Sequence, residues 1–205
     1  GISAATNGGL TVPKIYALSN SLNPIEAPVE LYSDIQVDGF FADGGIGYKD
    51  FLFLNGSFRR DVSSTLPKEN NAYNYFSGST SFVFTEFLPN NEILTFGKFR
   101  LNYAEVGNSA LFGVLADQYA KPTAFGSSPL FSLPNTKNNN GLVPERTKSF
   151  EIGAEFTLFD GRANFDVNYF NSESVDQIMP VTVSTATGYT SKYVNAGEVQ
   201  NKGIE

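Results

Sequence analysis

Cysteine, histidine and tryptophan are absent from the 205 residues, and methionine occurs once. With neither thiol nor imidazole there is no disulfide framework, no zinc site built on those ligands, and no Ser-His or Cys-His dyad. No run approaches the roughly 18 to 20 consecutive apolar residues of a membrane-spanning helix, so a helical membrane protein is excluded. Cations are also scarce. The 14 Lys and Arg stand against 21 Asp and Glu, and the formal charge of −7 argues against nucleic acid as a partner, because that binding rests on clustered basic residues. No basic segment followed by an apolar one opens the chain at Gly1, so no secretion signal is visible, and the compartment stays open on that ground. What is plentiful is Phe (19), Tyr (10) and Gly (19), a mixture that favours β-structure over helix bundles.

Alternation with period two recurs along most of the chain and points to strands with two unlike faces. Between Thr147 and Leu158 the residues Phe150, Ile152, Ala154, Phe156 and Leu158 are apolar, and Ser149, Glu151, Gly153, Glu155 and Thr157 between them are small or polar. Asp160-Gly161 then suits a two-residue type I′ turn, whose central positions need positive φ. Beyond it Ala163, Phe165, Val167 and Tyr169 are the apolar set. With Phe159 opposite Arg162, the facing pairs become Leu158 with Ala163, Phe156 with Phe165, Ala154 with Val167 and Ile152 with Tyr169. Each is worth about 0.2–1 kcal/mol, and a one-residue slip would put Glu155 and Asp166 on the apolar face. The same register faces Glu155 to Asp166, which requires water, a cation or a base on that side.

Further strands are expected at 33–48 (Ile35, Val37, Gly39 and Phe41 on one face), 50–60 (Leu52, Leu54, Gly56, Phe58), 75–87 (Phe76, Gly78, Thr80, Phe82, Phe84) and 94–106 (Gly97, Phe99, Leu101, Tyr103 against Lys98, Arg100, Asn102). A tight Lys49-Asp50 turn would set Phe41 opposite Phe58. A seventh extended segment, 192–205, is weakly patterned. Connections alternate between short (Lys49-Asp50, 88–93, Asp160-Gly161) and long (61–74, 107–145, 172–191). In a meander this puts every tight turn at one end and every long loop at the other, the layout of outer-membrane barrels. The strands also exceed the usual mode of about 5 to 6 residues. A soluble antiparallel sandwich, with the apolar face as its core, shares the alternation and stands as the alternative. The fold class is therefore all-β, an antiparallel up-and-down transmembrane β-barrel segment. About six to seven strands fall short of the eight in the smallest such barrel, and the chain stops in mid-strand at Gly203-Ile204-Glu205, so it reads as part of a larger barrel.

The segment Leu142-Val143-Pro144-Glu145-Arg146-Thr147-Lys148-Ser149-Phe150-Glu151-Ile152-Gly153 resembles the L-x-P-E-x-x-x-x-[FY]-E-x-G stretch of TonB-dependent outer-membrane receptor barrels. Three further stretches resemble the SusC/RagA branch of that family: 47–54 (GYKDFLFL), 100–108 (RLNYAEVGN) and 188–205 (GYTSKYVNAGEVQNKGIE). The resemblance implies that 1–205 is one portion of a roughly 22-stranded barrel. Within it, 1–32 would be extracellular loop and 33–205 strands with long extracellular loops, the plug domain and TonB-contacting box lying outside this stretch. It further implies import of glycans or peptides through the outer membrane. The partners would be a SusD-like lipoprotein lid, the TonB complex and outer-membrane lipid, with a dimer of transporter–lid pairs possible and no cofactor. A siderophore-type TonB-dependent receptor would share the barrel and lack the lid.

Residue by residue, Pro144 lacks an N–H and suits the point where a long loop re-enters the sheet. Glu145 and Arg146 can pair at the rim, though a solvated pair is worth only about 0–1 kcal/mol. Glu151 and Glu155 face the lumen beside Asp166, and Gly153 closes the family motif. A catalytic carboxylate pair needs a confined pocket with split pKa values, which nothing in the pattern supplies, so no catalytic or metal-binding residue is assigned. The loop 107–141 is the place for ligand or partner contact, because binding residues concentrate on loops held by a rigid scaffold. Its aromatic rings Phe112, Tyr119, Phe125 and Phe131 and the amides Asn138, Asn139 and Asn140 suit the apolar face and hydroxyls of a sugar. The plainer reading is that the rings merely pack the loop.

Overall fold

A computed structural model of the chain describes residues 2–25, 29–30, 32–89, 92–122 and 128–205. They form two units, Gly1–Asp34 and Ile35–Glu205. The first holds two short antiparallel ladders, β1 (Ile2–Ser3) with β4 (Val29–Glu30) and β2 (Asn7–Leu10) with β3 (Ser21–Asn23). Asn20 braces the intervening turn, its amide donating to the Val12 and Ile15 carbonyls at 2.8 and 2.7 Å.

The second unit is a seven-stranded antiparallel sheet built from β5 (Val37–Tyr48), β6 (Leu52–Ser63), β7 (Ala72–Val83), β8 (Leu94–Asn108), β10 (Glu145–Leu158), β11 (Ala163–Val175) and β14 (Val199–Ile204). Each strand lies beside its predecessor in the sheet, so the topology is a meander with β5 and β14 at its edges. The connections 49–51, 84–93 and 159–162 fall at one end, and 64–71, 109–144 and 176–198 at the other; the expected contrast between short and long is corrected for one pair, because β6 runs on to Ser63, β7 starts at Ala72 and Phe84–Phe87 leave the sheet, so that 84–93 is longer than 64–71. The long-connection end carries a further small sheet in which β13 (Ser191–Asn195) lies between β12 (Ile178–Thr182) and β9 (Thr136–Lys137).

The β10–β11 hairpin has the register expected from its alternation: Leu158 opposite Ala163, Phe156 opposite Phe165, Ala154 opposite Val167, Ile152 opposite Tyr169 and Glu155 opposite Asp166. Its turn centres on Asp160-Gly161 as expected: both take positive φ (54° and 87°), and Arg162 N–H donates to the Phe159 carbonyl at 3.3 Å, although Phe159 also takes positive φ (54°) and leaves the ladder, which ends at Leu158 opposite Ala163.

Three further expectations are corrected. Phe41 faces Arg59, and Ala42 faces Phe58, because Phe51 joins the turn: its N–H donates to the Tyr48 carbonyl at 3.3 Å and the ladder begins at Tyr48 opposite Leu52. The outward set of β5 is therefore Phe40, Ala42, Gly44, Ile46 and Tyr48. β7 stops at Val83 and Phe84–Phe87 form a 3-10 turn, with the Phe84 ring 4.9 Å from that of Phe99. The segment 192–205 is two strands. Gly197, at φ 92°, breaks it, so that β13 joins the loop sheet and β14 the large one.

Carried across the ladders, one face of the large sheet reads Phe40, Ile46, Leu54, Phe58, Phe76, Phe82, Phe99, Leu101, Ile152, Phe156, Phe165, Val167, Tyr169 and Ile204. These side chains are largely exposed: Phe40 66%, Ile46 73%, Phe165 54% and Phe150 38%. A sandwich would enclose Phe150, Phe156 and Phe165 between two layers. Instead Phe165 is 54% exposed, and the rings beside Phe156 are those of Phe99 on the neighbouring strand and Phe84 in the adjoining 3-10 turn, at 6.5 and 6.1 Å. From Phe150 to Leu158 the apolar face runs nine residues, eight steps along the strand. At about 3.4 Å per residue and a tilt of about 40° this is about 21 Å of membrane normal, close to the roughly 25 Å apolar band of outer-membrane barrels. Among the described residues no helix is long and apolar enough to cross a membrane; the strands are the candidates.

The buried core lies elsewhere. Leu66, Ala110, Val114 and Leu142 (0% exposed) come from two of the long connections and gather against Tyr73, with Tyr75, Leu115, Ile178 and Tyr193 alongside. All three long connections thus contribute to one hydrophobic cluster at their shared end.

Candidate functional site

The face opposite the apolar one is polar and hydrogen-bonded from strand to strand. Ser57 meets Ser77 at 2.7 Å, Ser149 donates to Ser172 at 3.0 Å, and Thr147 meets Ser174 at 2.8 Å. Toward the short-connection end the facing carboxylates Glu155 and Asp166 are supplied with bases from β8. Lys98 Nζ lies 2.6 Å from Glu155, and Arg100 reaches Asp166 at 2.6 Å, Asn168 Oδ1 at 2.9 Å and Glu155 at 3.7 Å. Arg100 sits opposite Gly153 and crosses it to do so. A Cβ on Gly153 would meet Arg100 Nη2 at 3.2 Å and collide with Asn168 Oδ1. The glycine of the motif is thus the gap through which β8 and β11 exchange charge across β10. Glu151, opposite Asn102, stands exposed on this polar face.

Glu145 and Arg146 do not pair with each other, since adjacent strand residues point to opposite faces. Glu145 accepts from the Ile178 N–H at 2.7 Å and from the Asn108 amide at 2.9 Å, tying the end of β8 to the start of β12. Arg146 lies 3.6 Å from Glu105, whose other oxygen accepts from the Tyr103 hydroxyl at 2.6 Å. Pro144 immediately precedes β10, and the residue before it is held by Asn195, which accepts from Val143 N–H at 2.9 Å and donates to the Val143 and Asp176 carbonyls at 2.8 Å each.

In the long loop, Phe112, Tyr119 and Phe131 are exposed, and Phe125 lies outside the described residues. Two of the three asparagines hold the loop's own shape. Asn138 donates to the Gly113 and Ala116 carbonyls at 2.9 and 2.6 Å, and Asn139 donates to the Tyr193 carbonyl at 3.0 Å and accepts from Gly141 N–H at 3.0 Å. Asn140 stays exposed beside an open pocket of about 530 Å³ that Asp117, Lys137 and Lys192 also line. The Lys137 ammonium lies 5.5 Å from the Tyr189 ring centroid. Desolvation, then the Asp117 carboxylate and the Tyr119 phenol, push the Tyr189 phenol above its ordinary range.

Residues 7–205 match the family model described as TonB dependent receptor-like, beta-barrel. The chain belongs to this family. It is 32% identical over 183 residues to TonB-dependent receptor P26 of Formosa agariphila, covering 85% of this chain and 18% of that protein. To TonB-dependent receptor P3 of the same organism it is 29% identical over 184 residues, covering 87% and 18%. The chain therefore spans about a fifth of the length of the curated relatives it matches. Among solved structures it superposes on the RagAB peptide transporter with a TM-score of 0.84 at 20% identity, covering 96% of this chain and 22% of that one. With the siderophore receptor PirA from Pseudomonas aeruginosa the TM-score is 0.57 at 16% identity, covering 83% and 30%.

The chain is a segment of a TonB-dependent receptor barrel whose sheet has one apolar face and, on the opposite face, the Lys98–Glu155–Arg100–Asp166 network. That network was half visible in the sequence, which paired Glu155 with Asp166 and left the base unnamed. Lys137 and Lys192 went unnoticed, because 55 residues separate them and only the parallel β9–β13 pairing sets them opposite each other. No local signal singled them out, since Lys68 and Lys121 also fall in the long connections.

Proposed function

We propose that the chain supplies barrel wall and external loops to a SusC-type importer of the outer membrane, which takes up glycans or peptides beneath a SusD-like lipoprotein lid. In this reading ligand is captured between barrel and lid, TonB remodels the plug to release it inward, and no bond is made or broken. Two such transporter–lid pairs would associate as a dimer. The observation that carries the reading is the contrast in fold likeness, a TM-score of 0.84 over 96% of the chain for the peptide transporter RagAB against 0.57 over 83% for a siderophore receptor. The SusC-like stretches at 47–54, 100–108 and 188–205 agree with it.

The test is to purify the full-length protein from outer membranes with an affinity tag. A heat-modifiable barrel that brings down a surface lipoprotein, and whose deletion abolishes growth on one polymeric nutrient, supports the proposal. A receptor that purifies without any lipoprotein, and whose loss matters only under iron limitation, is of the siderophore type instead.

A further inference from the structure

We propose that the pocket beside β9 and β13 recognises an anionic group, carboxylate or sulfate, on a glycan; the inference rests on the importer reading and narrows its substrate class. Lys137 and Lys192 face each other across the parallel β9–β13 pair and both line the pocket of about 530 Å³. Facing residues on paired strands project to one side with Cβ atoms about 4.5–5.5 Å apart, and like charges so placed repel unless an anion bridges them. Among the described residues neither lysine has a carboxylate within ion-pair distance. Asp117, the carboxylate that lines the same pocket, already accepts the Asn138 N–H at 2.9 Å. In a chain with a formal charge of −7, two facing cations with no carboxylate within ion-pair distance, against the single Asp117 carboxylate in the lining, leave the pocket with a positive excess that suits an anion.

The remaining chemistry favours a sugar over a peptide. Peptides are held largely through main-chain hydrogen bonds to a free row of backbone groups. Here the backbone N–H groups of Asn138 and Asn139 are taken, by Asp117 Oδ1 and by the Val114 carbonyl at 2.9 Å. The pocket offers side-chain donors: the two ammonium groups and the Asn140 amide, with the Tyr189 ring beneath Lys137.

The experiment titrates the full-length transporter in detergent, together with any lipoprotein that co-purifies, with tetragalacturonate, a dextran sulfate oligosaccharide, maltotetraose and tetraglutamate. Saturable binding of either acidic sugar is expected, weakening as salt is raised. It should fall about ten-fold or more in the Lys137→Gln/Lys192→Gln double variant and persist in Lys137→Arg/Lys192→Arg. Which acidic sugar binds separates carboxylate from sulfate. Unchanged affinity in the glutamine variant, maltotetraose bound as well as the acidic sugars, tetraglutamate bound in their place, or no binding of any probe each overturns the proposal. In the last case a heat-modifiable barrel that retains its lipoprotein leaves the importer reading standing, whereas a full-length protein that folds and stays monodisperse without detergent removes both.

Discussion

Arg100 passes over the empty side of Gly153 to hold Asp166 and Asn168, so a side chain at 153 has to displace it. Gly153→Val is expected to destabilise the barrel by about 1–3 kcal/mol, the usual cost of overpacking, read from urea unfolding of the full-length protein in lipid. In an Arg100→Ala background Asn168 loses its donor and can turn aside, so the same substitution should cost measurably less. Additivity of the two changes would contradict this account of the glycine. Asn195 holds both backbone groups of Val143 and the carbonyl of Asp176. Asn195→Ala should therefore speed hydrogen exchange at 142 and 143 and across 176–195 while leaving the amides of β10 and β11 protected, since a buried backbone group without a partner costs about 1–3 kcal/mol.

At the scale of elements, the docking of β14 beside β11 carries a pH dependence. The Glu198 carboxyl is raised above its ordinary range by its hydrogen bond to Glu173, by the repulsion between the two charges and by partial desolvation. A carboxyl raised in the folded state adds stability below its unfolded pKa and loses it as pH rises through the folded value. Exchange at 196–199 should accordingly be slower at about pH 4.5 than at about pH 7.5 after correction for intrinsic rates, and Glu198→Gln should flatten the difference. The β10–β11 register was legible because its alternation is unbroken and a one-residue slip would bury Glu155 and Asp166. The β5–β6 register was not. Apolar residues stand on both faces of β5, as Phe40 and Phe41 show, and the entry of Phe51 into the turn shifts the pairing by one residue. Nor does period two reveal a break at Gly197, where a single left-handed residue moves the chain from one sheet to another. The loop core and the Lys137–Lys192 pairing depend on contacts between distant segments, which no local pattern encodes.

For the molecule as a whole, the large aromatic and aliphatic side chains lie largely outside, and the buried hydrophobic cluster sits at the long-connection end. Leaving residues such as Phe40, Phe58, Phe99 and Phe165 in water forgoes about 1.5–3 kcal/mol each, which makes sense only if lipid takes water's place. A charge on this face is therefore costly, and Ile152→Lys should destabilise the reconstituted protein by about 2–4 kcal/mol. The same change at Glu151, on the lumen side, should cost far less in the same assay. The most direct measurement places single spin labels along 163–169 of the full-length protein in lipid vesicles and compares collisions with oxygen and with a water-soluble nickel chelate. Labels at 163, 165, 167 and 169 should favour oxygen and those at 164, 166 and 168 the chelate. Labels at the odd positions shielded from both reagents would mean that a second protein layer covers this face, and the membrane assignment would fail.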